Sequence, residues 1–212
     1  MKQELLTYCF IDASNLFYGG EKVLGWRVDY KKLFHYLGNK YNVAKVLYYG
    51  GIEIYNYKYD FTSTQTFPIS HLISYLEEIL LTMDEKTAEP NTVLLKKHID
   101  RAKFYRKLES FGYILKLKPV KYIREADGQI KKKANCDVDL TLDCLRMQAE
   151  YKRIILLSGD GDFEIVLKYF REIGKEVIVL SNPHNTAASI KKTFQKEYRN
   201  FYEIKDAIKY TT

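Results

Sequence analysis

The chain has 212 residues, 46% of them apolar and 29% charged, which suits one globular domain with a core of its own. No apolar run is long enough to cross a bilayer, and the opening residues MKQELLTYCFIDASN lack the basic region and small-residue cleavage site of a secretory signal, so a cytoplasmic, non-membrane protein is expected. Lysine and arginine outnumber aspartate and glutamate by 34 to 27, a net charge of +7 with a pI of about 9.0, which favours polyanions and chiefly nucleic acid.

The first predicted element is a short buried strand over residues 7–11, stopping at Asp12. A helix over 30–37 has Gly38 and Asn39 as terminators, and a second strand over 43–49 ends at Gly50-Gly51. Residues 55–97 depart from this alternation. They open with the tyrosine-rich YNYKYDFTSTQTF, continue with Ile69, Leu72, Ile73, Leu76, Ile79 and Leu80 on one broad helical face, and break at Pro90-Asn91. An insertion or lid on a single domain spanning 1–212 is expected there, placed to restrict substrate access or to join copies in a homo-oligomer.

A helix over 99–111 closed by Gly112, a strand over 114–118 and a hairpin over 122–132 with its turn at Asp127-Gly128 follow. The remainder reads as a helix over 138–150, a strand over 153–157, a helix over 162–173 closed by Gly174, a strand over 176–180, a helix over 187–198 and a short strand near 201–204. Strands alternating with helices predict an α/β fold with a mostly parallel central sheet.

Cys9, Cys136 and Cys144 lack CxxC spacing, and Cys9 and Cys144 read as small buried side chains. The four histidines are dispersed with no HExxH pair, which gives a zinc site little support.

The informative feature is the position of the aspartates. Ligands of open α/β sheets sit at the carboxyl ends of the strands. Asp12 follows the first strand in FIDASN, and Asp160 and Asp162 follow the fourth in LLSGDGDF. Asp137 opens the helix that feeds that strand, at the same edge of the sheet. Carboxylates gathered together repel unless a cation neutralises them, and oxygen donors suit Mg²⁺ or Mn²⁺. Such an ion activates water and stabilises charge on a phosphate. Local explanations stand beside this: Asp12 and Asp162 also suit helix N-caps, and Asn15 suits a cap, a support for Asp12 or a hold on metal-bound water.

On the helix after Asp137, the acids Asp139 and Asp143 align with Arg146 and Glu150. That stripe predicts a solvated face with ion pairs Asp143–Arg146 and Arg146–Glu150, and Val138, Leu142, Leu145 and Ala149 toward the core. Asp139 is thereby expected to be a surface acid.

FIDASN (10–15), KANCDVDLTLDCL (133–145) and LLSGDGDFEIVLKYFREIGKEVIVL (156–180) together resemble the NYN domain, a branch of the PIN-like nucleases. The resemblance covers nearly the whole chain apart from 55–97. It implies a three-layer α/β/α sandwich and a Mg²⁺- or Mn²⁺-dependent ribonuclease. By position it carries catalytic and metal-binding roles to Asp12, Asp137, Asp160 and Asp162, with Asn15, Ser158 and Asp143 in support. One departure is local: Ala134-Asn135-Cys136 stand between Lys133 and Asp137, where the family usually has a glycine and one further residue.

Lys131, Lys132 and Lys133 precede Asp137 and are candidates to hold an RNA backbone; a solvated hairpin end is the alternative. Tyr49, Tyr55, Tyr57 and Tyr59 could stack bases, whereas Tyr48 reads as packing. The polar segment 181–185 follows the fifth strand and is open to substrate contact or a plain turn. Beside the nuclease stand a nucleic-acid-binding module of the same fold without cleavage, a phosphotransfer enzyme, and an interaction scaffold using the insertion. FIDASN lacks the aspartate two residues after Asp12 that a haloacid-dehalogenase-like phosphatase carries, and no GxxxxGK[ST] or GxGxxG loop occurs.

Overall fold

A computed structural model describes residues 6–16, 22–60, 67–83, 89–124 and 128–211. Its central sheet has six strands in the order β3-β2-β1-β6-β7-β8: β1 (Thr7–Asp12), β2 (Val43–Ile52), β3 (Ile114–Pro119), β6 (Arg153–Leu157), β7 (Glu176–Ser181) and β8 (Tyr198–Asn200). A separate ribbon pairs β4 (Lys121–Arg124) with β5 (Ile130–Lys133). The helices are α1 (Ala13–Leu16), α2 (Lys22–Leu24), α3 (Tyr30–Tyr41), α4 (Ile69–Thr82), α5 (Glu89–Ser110), α6 (Asp137–Arg146), α7 (Glu164–Glu172), α8 (Ala188–Thr193) and α9 (Lys205–Ile208). This is the expected three-layer α/β sandwich. β1 pairs in parallel with β2 and β6, as do β6 with β7 and β7 with β8.

Parallel strands covered on both faces must be apolar on both, and all six residues of β1 are buried. Successive residues of β2 show the two layers. Tyr48 meets Tyr30 of α3 at a ring separation of 6.2 Å, while Tyr49 donates to Asp143 of α6. The core on the latter side gathers Phe10, Leu140, Phe163, Leu167 and Phe170.

The chain divides into two compact units, one made of residues 1–49, 111–114 and 136–212, the other of 50–110 and 115–135. The segment 55–97 falls in the second. There α4 buries Ile69, Leu72, Ile73 and Leu76, as the periodicity predicts, and Tyr57 and Tyr59 pack on Phe67. Among the described residues no helix is long and apolar enough to cross a membrane.

Several boundaries differ from expectation. Helix α3 runs through Gly38 and ends at Asn42, whose left-handed φ of 52° closes it. Strand β2 continues through Gly50-Gly51 to Ile52; a Cβ on Gly51 would lie 2.6 Å from that of Ala134, so only glycine fits. Pro90 is the second residue of α5 instead of a break in the chain, a first-turn position where its missing N–H removes no helical bond. The final helix is shorter than 187–198, the last strand falls at Tyr198–Asn200, and α9 follows it. Of the expected hairpin turn, Asp127 lies outside the described residues, as do residues 61–66 of the tyrosine-rich segment.

Candidate active site

Three loops at the carboxyl edge of the sheet are tied together by hydrogen bonds. β1 and β6 are neighbours, with Ile11 opposite Leu157, so Asp12 and Ser158 emerge side by side. Asp12 is 6% exposed. Its Oδ1 accepts from Ser14 N–H (3.0 Å), Ser14 Oγ (2.6 Å) and Asn15 N–H (3.3 Å), and its Oδ2 from Ser158 Oγ (3.1 Å). The capping role and the strand-end position therefore belong to the same carboxylate.

Ser158, fully buried, also accepts from Asp160 N–H (3.2 Å), so one hydroxyl links the Asp12 carboxylate to the Asp160 backbone. Asn15 Oδ1 accepts from Gly159 N–H at 2.9 Å, fixing the loop after β1 to the loop after β6. Gly159 in turn accepts from Ala187 N–H at 2.8 Å, which brings in the loop after β7. A Cβ on Gly159 would stand 2.9 Å from both Asn185 O and Thr186 Cα, a closeness that requires glycine. Asp160 Oδ1 accepts from Asp162 N–H at 3.0 Å and caps the 3-10 turn Gly161–Phe163; Asp160, not Asp162, is the cap. The Asp162 side chain is exposed.

Residues 181–186 form a bonded turn and not a free polar loop. Ser181, Asn182 and Thr186 are buried; Thr186 Oγ1 donates to Asn182 O at 2.6 Å, which leaves it to accept from Ser181 Oγ at 2.7 Å. Thr186 was not among the sequence-derived candidates, since a single threonine in a loop carries no distinguishing pattern.

Helix α6 corrects the amphipathic reading. Val138 and Leu142, expected in the core, are 70% and 41% exposed. The buried stripe is Cys136, Leu140 and Cys144. Asp139 and Asp143 flank it and are half-buried, with Asp139 Oδ2 shielded from solvent, so Asp139 is not a surface acid. The inward turn of Asp143 has a partner: Tyr49 Oη donates to its Oδ2 at 3.0 Å. Burial first, and then Asp143, push the Tyr49 hydroxyl far above its usual pKa, so it stays a donor. Tyr49 is thus a core residue and not a base-stacking platform. Glu150 pairs with Lys45 (2.8 Å) and accepts from Tyr8 Oη (2.6 Å) in place of the expected pairing with Arg146. Asp137, the first residue of α6, is half-buried. Cys9, Cys136 and Cys144 are buried free thiols, and burial pushes those of Cys9 and Cys144 up, away from nucleophilic use.

The sequence model of the NYN domain matches residues 7–202. The chain belongs to the NYN domain family. It is 25% identical over 204 residues to the low amplitude and bright protein LabA of Synechococcus elongatus, covering 95% of this chain and 87% of LabA. A Vibrio parahaemolyticus protein of unknown function has a similar fold, with a TM-score of 0.63, 19% identity and 99% of each chain covered. A fainter likeness, TM-score 0.46 and 14% identity over 89% of this chain and 60% of the other, links it to the T5 D15 protein co-crystallised with metal ions.

In this NYN domain, no group of three or more His, Cys, Asp or Glu side chains among the described residues stands ready to hold a metal ion. Mg²⁺, however, is commonly bound by one or two carboxylates and keeps several waters. Ser158 Oγ donates to the Asp12 carboxylate and accepts from the Asp160 backbone N–H, so these two aspartates stand on turns that one hydroxyl ties together. Lys131, Lys132 and Lys133 belong to the second unit, where they make up most of the exposed strand β5.

Proposed function

We propose that this NYN domain is a metal-dependent ribonuclease hydrolysing RNA phosphodiester bonds. The observation that carries the reading is the Asp12–Ser158–Asp160 link across two adjacent parallel strand ends. Asp12 and Asp160 are the residues that would hold Mg²⁺ or Mn²⁺, with Asp137 and Asp162 as further catalytic and metal-binding acids and Asn15, Ser158 and Asp143 in support. When bound, such an ion supplies a Lewis acid for the phosphate and lowers the pKa of a coordinated water.

The protein's own contribution is orientation. Donors from Ser14, Asn15 and Ser158 hold the Asp12 carboxylate in one pose, and the Asn15–Gly159 bond keeps the β6 turn from drifting away from it. Groups held this way need no reorganisation when charge develops. Lys131, Lys132 and Lys133 are assigned to the RNA backbone.

A second reading, an RNA-binding module without cleavage, is favoured by one observation: the acids do not form a three-residue group among the described residues. Labelled single-stranded and structured RNA, with single-stranded DNA as a comparison, separates the two when incubated with Mn²⁺ or with EDTA. The nuclease reading expects Mn²⁺-dependent cleavage of RNA that EDTA and Asp160→Asn both abolish. Cleavage surviving either treatment overturns the metal reading, and RNA binding without cleavage selects the binding module.

A further inference from the structure

We propose that the groove at the amino-terminal edge of the sheet, the edge opposite the candidate active site, binds the phosphate chain of a small polyphosphate. The proposal does not rest on the nuclease reading.

The groove lies wholly in the first unit and has a volume of about 440 Å³, within the range of small-molecule sites. Six cations line it: Lys40, Arg153, Arg171, Lys175, Lys196 and Arg199. The acids of the lining are Glu176 and Glu197. The cations come from separate elements: Lys40 from the last turn of α3, Arg153 from the start of β6, Arg171 from the last turn of α7 and Arg199 from β8. Lys40 and Arg171 suit the carboxyl ends of their helices, where a cation complements the dipole. Arg153 and Arg199 stand in strands, where no comparable dipole calls for one.

Neutral groups orient most of these cations and leave their charge in place. Arg171 donates from Nη1 to Thr193 O at 3.1 Å, and its guanidinium lies 5.0 Å from the centre of the Phe194 ring. Arg199 donates from Nη1 to Lys196 O and Tyr198 O, both at 2.7 Å. Lys175 donates to Gln148 O and Tyr151 O. A guanidinium carries five N–H groups and an ammonium three, so each of these side chains keeps a donor for a further acceptor. Arg153 differs: its Nε donates to Glu176 Oε2 at 2.7 Å, and that ion pair offsets its charge. Burial first, and then the charge of Lys152, lower the pKa of Lys175, and an anion in the groove would relieve that ammonium. Six cations against two acids leave a surplus close to the charge of a triphosphate.

The lining also selects which part of a ligand is bound. Arginine forks suit the paired oxygens of phosphate, and lysines add point charge. Tyr41, the aromatic residue of the lining, is 8% exposed with Lys40 Nζ 5.6 Å from its ring centre, so it presents no open face to a base. A nucleoside polyphosphate and an inorganic one therefore meet the same contacts. The five residues of β6 separate the groove from the turn that carries Ser158 by roughly 13 Å, which makes it a site distinct from Asp12 and Asp160.

The test uses the full chain without divalent cations, and its variants leave Asp12 and Asp160 untouched. Isothermal titration calorimetry in low-salt buffer compares tripolyphosphate, ATP, GTP, AMP and orthophosphate. Tripolyphosphate, ATP and GTP are expected to bind with similar Kd. AMP and orthophosphate should bind about 10-fold more weakly or worse, the scale of one lost charge-assisted contact. Arg171→Gln/Arg199→Gln is expected to raise Kd for tripolyphosphate by about 10- to 100-fold. Lys31→Gln/Lys192→Gln, which removes the same charge from exposed positions outside the groove, is expected to bind as wild type. Melting curves verify that each variant is folded. Should the arginine variant melt early, Lys40→Gln/Lys196→Gln takes its place, since both lysines are exposed. No binding of tripolyphosphate at millimolar concentration, an equal loss in the control variant, or a wild-type Kd in the groove variant would each overturn the proposal. So would binding of ATP or GTP that tripolyphosphate does not share, which would mark a site that reads the base. An oligo(U) whose affinity falls in the groove variant as far as that of tripolyphosphate would make the groove a track for nucleic acid and overturn the small ligand.

Discussion

Asp12 and Asp162 follow neighbouring strands, yet the protein holds them in opposite ways. Asp12 is 6% exposed and accepts from two backbone N–H groups and two hydroxyls. The Asp162 side chain is exposed, and the turn it sits in is capped by Asp160. A buried carboxylate with satisfied lone pairs is part of the fold, because its removal strands every donor aimed at it. An exposed one beside a turn that another residue caps is nearly free of structural duty. Stability therefore separates the two acids, while the proposed chemistry joins them.

That contrast gives the largest expected effects. Asp12→Ala leaves four donors without their acceptor and should lower stability by about 3 kcal/mol or more, read as a fall in Tm. Asp12→Asn retains one acceptor oxygen and should cost about 1 kcal/mol. Asp162→Asn should melt within about 0.5 kcal/mol of wild type. In the Mn²⁺-dependent cleavage assay, both Asn variants should lose activity, on the order of 100-fold for Asp12, the scale of removing one preorganised electrostatic group. An Asp162→Asn protein with wild-type cleavage would reduce Asp162 to a turn residue and shift the site wholly onto Asp12 and Asp160.

Helix α6 stands between these extremes and yields a smaller effect. Asp143 is half-buried and accepts from a side chain of the sheet, Tyr49 Oη at 3.0 Å. Tyr49→Phe removes that donor without changing the ring that packs against Phe10. The expected loss is about 1–2 kcal/mol in a denaturant melt. A Tyr49→Phe protein as stable as wild type would mean that Asp143 is solvated in place, returning α6 to an ordinary amphipathic helix.

The same regions explain what the sequence discloses and what it hides. FIDASN and LLSGDGDF are legible because strand, turn and acid follow one another in the chain, so local rules place Asp12 and Asp160 at adjacent edges. The mostly parallel pairing follows from the alternation of strands and helices, whereas the order of the strands in the sheet does not. The orientation of α6 is not legible. Its polar stripe matches a solvated face, and the Tyr49 hydroxyl, 94 residues away in sequence, supplies a partner on the inner side for Asp143. Val138 and Leu142 look apolar enough for a core, but Leu140 and Cys144 occupy it. Nor could the chain disclose that Asn15 reaches Gly159, since nothing local marks either residue for the other until the strands are paired.

The smallest predicted effect concerns a third way of holding an acid, by side chains alone. Glu164, at the start of α7, pairs with Lys168 Nζ at 2.6 Å and accepts from Thr193 Oγ1 of α8 at 2.9 Å. Lys168 first, then Ser189 and Thr193, draw its carboxyl down to about 2 from an ordinary 4.5. A carboxyl depressed on folding contributes stability that is fully present above the unfolded value and is lost as pH falls through the folded one. The contribution should therefore be constant from neutrality to about pH 5 and decline from about 4.5 toward 2. Glu164→Gln, with melting followed across that range, should lie slightly below wild type at pH 7 and converge with it in acid. The effect is modest because the pair is solvent-accessible and screened by salt. Curves that stay parallel down to acid pH would show that the carboxylate of Glu164 adds nothing beyond its hydrogen-bonding shape. That outcome would leave Asp12, bound by backbone as well as side chains, as the acid on which the fold of this region depends.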